Sequence, residues 1–216
     1  MQNFQGQIEN PATPELPIAG VVYSGQLVNQ TNGSLRLFFV RLMSNLRALF
    51  GPAGARFIDS PNGLFFSTQD QTLAASNTGY AITFNNSYLN NSISVASSSR
   101  ITCEIGGIYC FQLSAQVKST NSSSKQIYLW VKRSGTDIGY STRQLTLSGS
   151  DNHMPMNWSF NIDVNANSYV ELIWAATDTS VTIESTAATS PHTGISSAVL
   201  AVSFVAPLPL TLPTPP

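Results

Sequence analysis

Residues 108–117 have the sequence Ile-Tyr-Cys-Phe-Gln-Leu-Ser-Ala-Gln-Val, in which apolar residues alternate with residues that are mostly polar. The apolar set is Tyr109, Phe111, Leu113, Ala115 and Val117. Because successive side chains of a strand point to opposite faces, this pattern predicts a strand with one face in the core. Residues 156–164 alternate in the same way, with Met156, Trp158, Phe160, Ile162 and Val164 on one side.

Short apolar runs continue on both sides of these two strands. Each run is bounded by Gly, Asn, Asp or Ser; the runs lie at 79–84, 92–96, 100–105, 126–133, 168–175, 180–184 and 197–205. About ten short strands separated by turn residues are typical of a β-sandwich or jelly roll. We therefore expect an all-β jelly-roll domain over residues 63–206.

The first 62 residues have a different pattern, which predicts an assembly or anchoring region. Three prolines, Pro11, Pro14 and Pro17, favour an extended amino-terminal segment. After it, apolar residues recur at three- and four-residue spacing and predict an amphipathic helix near 34–50, capped by Asn32-Gly33-Ser34. Its apolar face comprises Leu35, Phe38, Phe39, Leu42, Met43, Leu46, Leu49 and Phe50. A proline-rich tail, 207–216, is expected to be extended.

A face this wide needs a partner, because eight buried apolar side chains would contribute at most roughly 12–24 kcal/mol. Three partners are open: the chain's own sandwich, another subunit or a larger assembly, and a membrane surface. The membrane alternative favours Lys on the polar face and Trp at its boundary. The helix has neither.

Two predicted strands carry large apolar residues on both faces, as expected for strands covered on both sides. One face of these strands packs on the core, and we predict that another subunit covers the other face. The candidate interface residues are Tyr128, Trp130, Tyr169 and Ile173. Alternatively, the two tyrosines are scattered surface aromatics.

Composition excludes two classes of protein. Only 10% of the 216 residues are charged and the net charge is −1, which excludes a nucleic-acid binder that works by neutralising phosphates. A hydrophobic content of 42% excludes an acidic disordered chain. We also expect neither a cleaved secretion signal nor a membrane-spanning segment.

Cys103 and Cys110 flank Gly106-Gly107, and a two-residue hairpin there would place the thiols opposite each other. That register would set Arg100, Thr102 and Glu104 against the core face of the next strand. A three-residue loop instead places the core-facing residues of the two strands on the same side of the sheet. Cys103 is then expected to point inward and Cys110 outward, without a disulfide.

No motif for catalysis, a cofactor or a metal emerges from the spacing of residues. His153 and His192 stand in loop-like sequence without a second ligand nearby, which is typical of surface histidines. Asp137, Asp151 and Asp163 could meet and hold Ca²⁺, although nothing in their spacing requires it. We predict a protein that is not an enzyme and that needs no cofactor.

The segment Arg100-Ile-Thr-Cys-Glu-Ile-Gly-Gly-Ile-Tyr-Cys-Phe-Gln-Leu-Ser resembles the C1q/tumour-necrosis-factor-like domain, whose Gly-x-Tyr-x-Phe strand matches Gly107, Tyr109 and Phe111. Lys132-Arg133-Ser134-Gly135 departs from the family's Lys-Asn-Gly turn, and Asn167-Ser168 stands where the family has Gly-Asp. The resemblance covers about 64–205 and implies a ten-stranded jelly roll that forms a homotrimer.

The segment from Gly25 into the helix looks like the start of many small virion proteins of tailed bacteriophages. This resemblance implies a virion protein whose amino-terminal region binds other virion proteins and whose β domain meets a host surface receptor. The predicted function is a short trimeric tail fibre or receptor-binding appendage, without membrane insertion.

Three other functions remain open: a head-decoration or cement protein, a secreted C1q-like ligand, and an enzyme that acts on surface polysaccharide.

Overall fold

The structure is a computed structural model that describes residues 16, 25–50 and 60–208, with the backbone alone at 47–50. The chain divides into two units, Met1–Asp59 and Ser60–Pro216. The predicted extended segment before residue 25, most of the connector at 51–62, the side chains of Leu49 and Phe50, and nearly all of the proline-rich tail lie outside the described residues.

The helix α1 (Gly25–Phe50) has 26 residues and is longer than the sequence predicts. The cap predicted at Asn32-Gly33-Ser34 is wrong, because the helix continues through it. Asn, Gly and Ser each cost at most about 1 kcal/mol inside a helix, and no proline interrupts this stretch. Thr31 follows the helical course, since its Oγ1 donates to the Leu27 carbonyl oxygen at 2.9 Å. No described helix is long and apolar enough to cross a membrane.

The second unit is an all-β jelly-roll sandwich of two antiparallel sheets. Its strands are β1 (Asn62–Ser67), β2 (Gln71–Thr72), β3 (Tyr80–Ala81), β4 (Asn86–Asn91), β5 (Ile93–Ala96), β6 (Arg100–Cys103), β7 (Gly107–Ser119), β8 (Lys125–Arg133), β9 (Thr136–Asp137), β10 (Arg143–Leu147), β11 (Asn152–Val164), β12 (Ser168–Ala176), β13 (Val181–Ile183) and β14 (Ala198–Ala206).

The first sheet is built around β7, the strand with the clearest alternation in the sequence. Along its whole length β7 pairs with β11. Its other edge pairs with β14 and, beyond residue 115, with β13. From β14 the sheet continues through β1 to β4. The predicted core face is confirmed, since Tyr109, Phe111 and Val117 are fully buried.

The second sheet runs in the order β10, β8, β12, β6 and β5, with β9 beside β8 and β3 beside β12. Its inward side chains, such as Leu129, Leu172 and Trp174, complete the core against the first sheet. The strands β10 and β11 are edge strands of different sheets. They leave one side of the sandwich partly open.

The predicted hairpin between residues 100–105 and 108–117 is wrong. The strand β6 belongs to the second sheet and β7 to the first, so residues 104–106 cross between the sheets. The crossing is held by the Tyr109 hydroxyl, which donates to the Ile105 carbonyl oxygen at 2.6 Å.

The expected orientations of the two thiols are confirmed even though the hairpin is not. Cys103 is fully buried, Cys110 is half-buried, and both are free. Burial raises the pKa of the Cys103 thiol to about 12, so this thiol stays protonated in neutral solution.

An ion pair between a buried lysine and a half-buried aspartate fastens β8 to the turn after β12. The ammonium of Lys125 lies 3.2 Å from Asp178 Oδ2. The Ser180 backbone N–H donates to Asp178 Oδ1 at 2.8 Å. Hydrogen bonding from Ser180, and then from the Lys125 ammonium, lowers the pKa of Asp178 to about 2.

Acidification is therefore expected to destabilise the sandwich between pH 4 and pH 2. A carboxylate whose pKa is depressed on folding stabilises the fold above its unfolded pKa of about 4, and that contribution disappears as pH falls through the folded pKa. We expect Asp178→Asn to lower the melting temperature at pH 7, because Lys125 loses its counter-charge. The native and variant melting curves should then converge towards pH 2.

The measurement is a series of thermal melts from pH 7 to pH 2. Asp151→Asn is the control, because the Asp151 side chain is 75% exposed and its nearest oxygen lies 4.0 Å from Lys118. A constant difference between native and Asp178→Asn across this range would contradict the assignment.

Candidate functional site

The open side of the sandwich carries two arginines where the strand pattern calls for core residues. Arg143 is paired with Leu129, and Arg133 is paired with Val170. Both partners are inward-facing and buried, so both arginines occupy inward-facing register positions. Arg143 is on the edge strand β10 and is exposed, whereas Arg133 is half-buried on β8.

A cleft of about 510 Å³ opens between these arginines and the edge strand β11. Its apolar part is lined by Val131, Ile138, Phe160 and Ile162, among others. The volume lies in the range of roughly 300–1,000 Å³ that is usual for small-molecule sites. We call it the edge cleft.

Two aromatic rings, Trp158 and Phe160, line one side of the edge cleft, and a third ring lies beneath them. Phe160 stacks on the buried Phe111, with ring centroids 5.3 Å apart and planes 6° apart. Trp158 lies against Phe160 at 4.3 Å. Trp158 and Phe160 are only half-buried, so part of each ring remains available for contact.

The indole N–H of Trp158 is buried and has no hydrogen-bond partner among the described residues. An unpaired buried donor costs about 1–3 kcal/mol. The unpaired donor therefore belongs to a ring that lines the edge cleft, but the N–H group itself is not exposed.

The two arginines of the edge cleft differ in their partners. Arg133 Nη1 lies 2.5 Å from Asp163 Oδ2 and donates to the Asp163 carbonyl oxygen at 3.2 Å. Arg143 forms no ion pair or hydrogen bond with any described residue. One positive charge of the cleft is thus neutralised, and the other is available.

The loop from Ile138 to Thr142 forms the rim of the edge cleft. Ser141 anchors it, since its Oγ accepts from the Val131 N–H at 3.2 Å and donates to the Ile138 carbonyl oxygen at 2.8 Å. Tyr140, one residue earlier, is fully exposed and has a φ of 60°. A tyrosine held in the left-handed region costs of order 1 kcal/mol, and such strain concentrates at ligand sites.

The four predicted interface residues lie on the outer face of the second sheet. Trp130 is paired with Ile173. Tyr128 and Tyr169 are half-buried on the same face, where the guanidinium of Arg100 lies 4.7 Å from the Tyr169 ring centroid.

The chain itself covers part of the outer face of the second sheet, where the sequence predicts another subunit. Ile173 is only 5% exposed, because the backbone at Gly79 packs on Ile173 and Trp130. A Cβ at Gly79 would lie 2.7 Å from the Trp130 ring. Ile173 therefore offers little surface to a subunit, whereas Tyr128 and Trp130 are still partly exposed.

The predicted assembly face of α1 is not buried at any position whose side chain is described. Leu35, Phe38, Leu42 and Leu46 are half-buried. Phe39 is 55% exposed and Met43 is 49% exposed. Leu37 and Val40, which are not part of the predicted apolar face, are also more than half exposed.

The three aspartates considered for Ca²⁺ are not brought together. Asp137 accepts from the Trp130 indole N–H at 2.7 Å, Asp151 faces Lys118, and Asp163 faces Arg133. Among the described residues, no group of three or more metal-ligating side chains occurs.

The two histidines lie apart. His153 is on β11 and not in a loop, and its Nδ1 lies 3.3 Å from Glu184 Oε2. His192 lies in an exposed turn, where its Nδ1 is 2.8 Å from the Thr193 carbonyl oxygen.

Sequence reasoning missed the edge cleft. Trp158 and Phe160 were correctly placed on the core face of β11, but nothing indicated that they lie at an edge. The available signal was Arg143, which precedes Leu145 and Leu147 in an alternating run.

Comparison with solved structures finds a similar protein, the globular domain of zebrafish complement 1qA protein, with a TM-score of 0.46 and 13% sequence identity. The similarity covers 68% of this chain and 98% of that one. No protein-family profile matches the chain, and no curated protein matches it either. The fold assignment therefore stands on the strand pairing described above.

Proposed function

We propose that this chain is a non-enzymatic attachment protein that assembles as a homotrimer through its amino-terminal region and displays the jelly roll outward. The observation that carries the proposal is the apolar surface of α1. Phe39 and Met43, both on the predicted assembly face, are each about half exposed. At about 1.5–3 kcal/mol for each buried side chain, such a surface favours association.

The sandwich offers a second surface suited to contact with other molecules. The half-buried Tyr128 and Trp130 lie on an outer sheet face. Charged side chains on this face are paired, as Lys132 is with Asp137 at 3.8 Å. Tyrosine and tryptophan are enriched in interface centres. This face supports contact between subunits in the proposed trimer.

The edge cleft supports binding and offers little for catalysis. Among the described residues that line it, Asp163 is the sole carboxylate, and Arg133 already neutralises it. Glycoside hydrolysis usually needs two carboxylates separated by roughly 5–9.5 Å.

The resemblance of the segment after Gly25 to tailed-bacteriophage proteins supports a place on a virion. In this role the amino-terminal region binds the particle, and the jelly roll meets the host surface as a short tail fibre or receptor-binding appendage.

Size-exclusion chromatography with light scattering tests the assembly. We expect three copies of the 23.2 kDa chain at micromolar concentration, and a monomer would contradict the proposal.

Adsorption of labelled protein to a panel of bacterial strains tests attachment. A trimer that binds no strain but coats phage heads would indicate a decoration protein instead.

A further inference from the structure

The geometry points to an acidic saccharide, bound through a single carboxylated sugar residue, as the ligand of the edge cleft. The choice of a saccharide rests on the proposed function, because a host envelope displays saccharides. The choice of an acidic sugar rests on the cleft itself.

The charge of the edge cleft suits a monoanion. Its charged side chains are Arg133, Arg143 and Asp163, which leave one positive charge after the Arg133–Asp163 pair. A guanidinium binds a carboxylate through two parallel N–H donors, and the interaction is stronger than a neutral hydrogen bond. Arg143, which lacks a partner among the described residues, is the group that can do so.

The aromatic side of the edge cleft suits a pyranose ring. One face of a sugar ring presents C–H groups, which pack on an aromatic surface, while its hydroxyls remain free for hydrogen bonds. Trp158 and Phe160 provide that surface in the same cleft as Arg143.

The rim supplies the outer contacts of the site. Tyr140 is fully exposed above the cleft, and its loop is fixed to β8 by Ser141. Asn161, which also lines the cleft, is exposed and adds amide donors and an acceptor. An apolar floor, one available cation and a polar rim together match a carboxylated sugar better than a neutral one.

The test uses the full-length protein with three probes: methyl β-glucuronide, methyl β-glucoside and N-acetylglycine. Saturation-transfer NMR and titration measure binding. We expect the glucuronide to bind at least roughly tenfold more tightly than either of the other probes, because only it has both the carboxylate and the ring. Equal binding of the glucoside would overturn the role of charge, and equal binding of N-acetylglycine would overturn the saccharide assignment.

Two variants locate the site. Arg143→Gln should weaken glucuronide binding at least roughly tenfold and leave weak glucoside binding unchanged. Trp158→Phe keeps an aromatic ring but reduces the stacking surface, and should weaken binding by a smaller factor. Arg100→Gln is the matched control, because Arg100 lies in the same sheet but pairs with Glu171 at 3.7 Å, outside the cleft. If the Arg143→Gln variant binds the glucuronide with native affinity, the inference is overturned. The role of Arg143 would then be to protect a sheet edge from pairing with other chains.

The same preparations separate this inference from the proposed function. A trimer that adsorbs to cells but binds no glucuronide overturns the saccharide inference alone. Glucuronide binding that depends on Arg143, in a protein that stays monomeric and adsorbs to no strain, supports the inference and overturns the attachment role.

Discussion

We expect the double substitution Phe39→Asp/Met43→Asp to convert the proposed trimer into monomers. Both side chains are about half exposed and lie four residues apart on the predicted assembly face. Three copies would lose six buried apolar side chains at about 1.5–3 kcal/mol each. That loss, roughly 9–18 kcal/mol, is comparable with the whole binding free energy of a nanomolar complex, about 12 kcal/mol.

Light scattering after size-exclusion chromatography measures the effect. The matched control is Arg41→Asp/Ser44→Asp, which places two aspartates on the opposite, exposed side of the same helix. It brings the same number of aspartates, so both variants lose helix propensity to a similar extent. If the first variant remains trimeric, α1 does not hold the subunits together.

Phe111→Ala is expected to cost about 3–5 kcal/mol of unfolding free energy. Phe111 is fully buried in the middle of β7 and stacks on Phe160, so its removal leaves a cavity between the sheets. Domains commonly unfold with only 5–15 kcal/mol, and this one substitution would remove a large share of that. The edge cleft should also loosen, because Phe160 loses the ring on which it rests.

Urea denaturation followed by circular dichroism measures this cost. Tyr88→Ala on the edge strand β4 is the control, since Tyr88 is 76% exposed and should change stability by less than about 0.5 kcal/mol. A cost below about 1.5 kcal/mol for Phe111→Ala would show that the core repacks around the cavity.

The long strands were predictable because their alternation is encoded locally. The predicted strands at 108–117, 126–133 and 197–205 each match an observed strand to within two residues at each end. The short strands were not predictable, since they exist only through distant partners. Gln71 and Thr72, for example, form a strand because they pair with β13, more than a hundred residues away.

The helix and the edge cleft were harder to predict for related reasons. The start of α1 was misplaced because residues that favour caps also occur inside helices when no better stop is near. The cleft depends on which strands end up at the sheet edges, and adjacent residues do not encode that. Arg143 faces inward because it pairs with Leu129 of β8, although β9 separates the two strands in the sequence.

The position of β14 has a consequence for how the protein is made on the ribosome. This last strand lies between β7 and β1, so the first sheet stays in two pieces until residues 198–206 have been synthesised. At roughly 5–20 residues per second, β1 would wait about 7–28 s for its partner. The nascent chain would carry an unfinished, apolar sheet edge throughout that interval. Closure of the jelly roll would then be a late event in its biosynthesis.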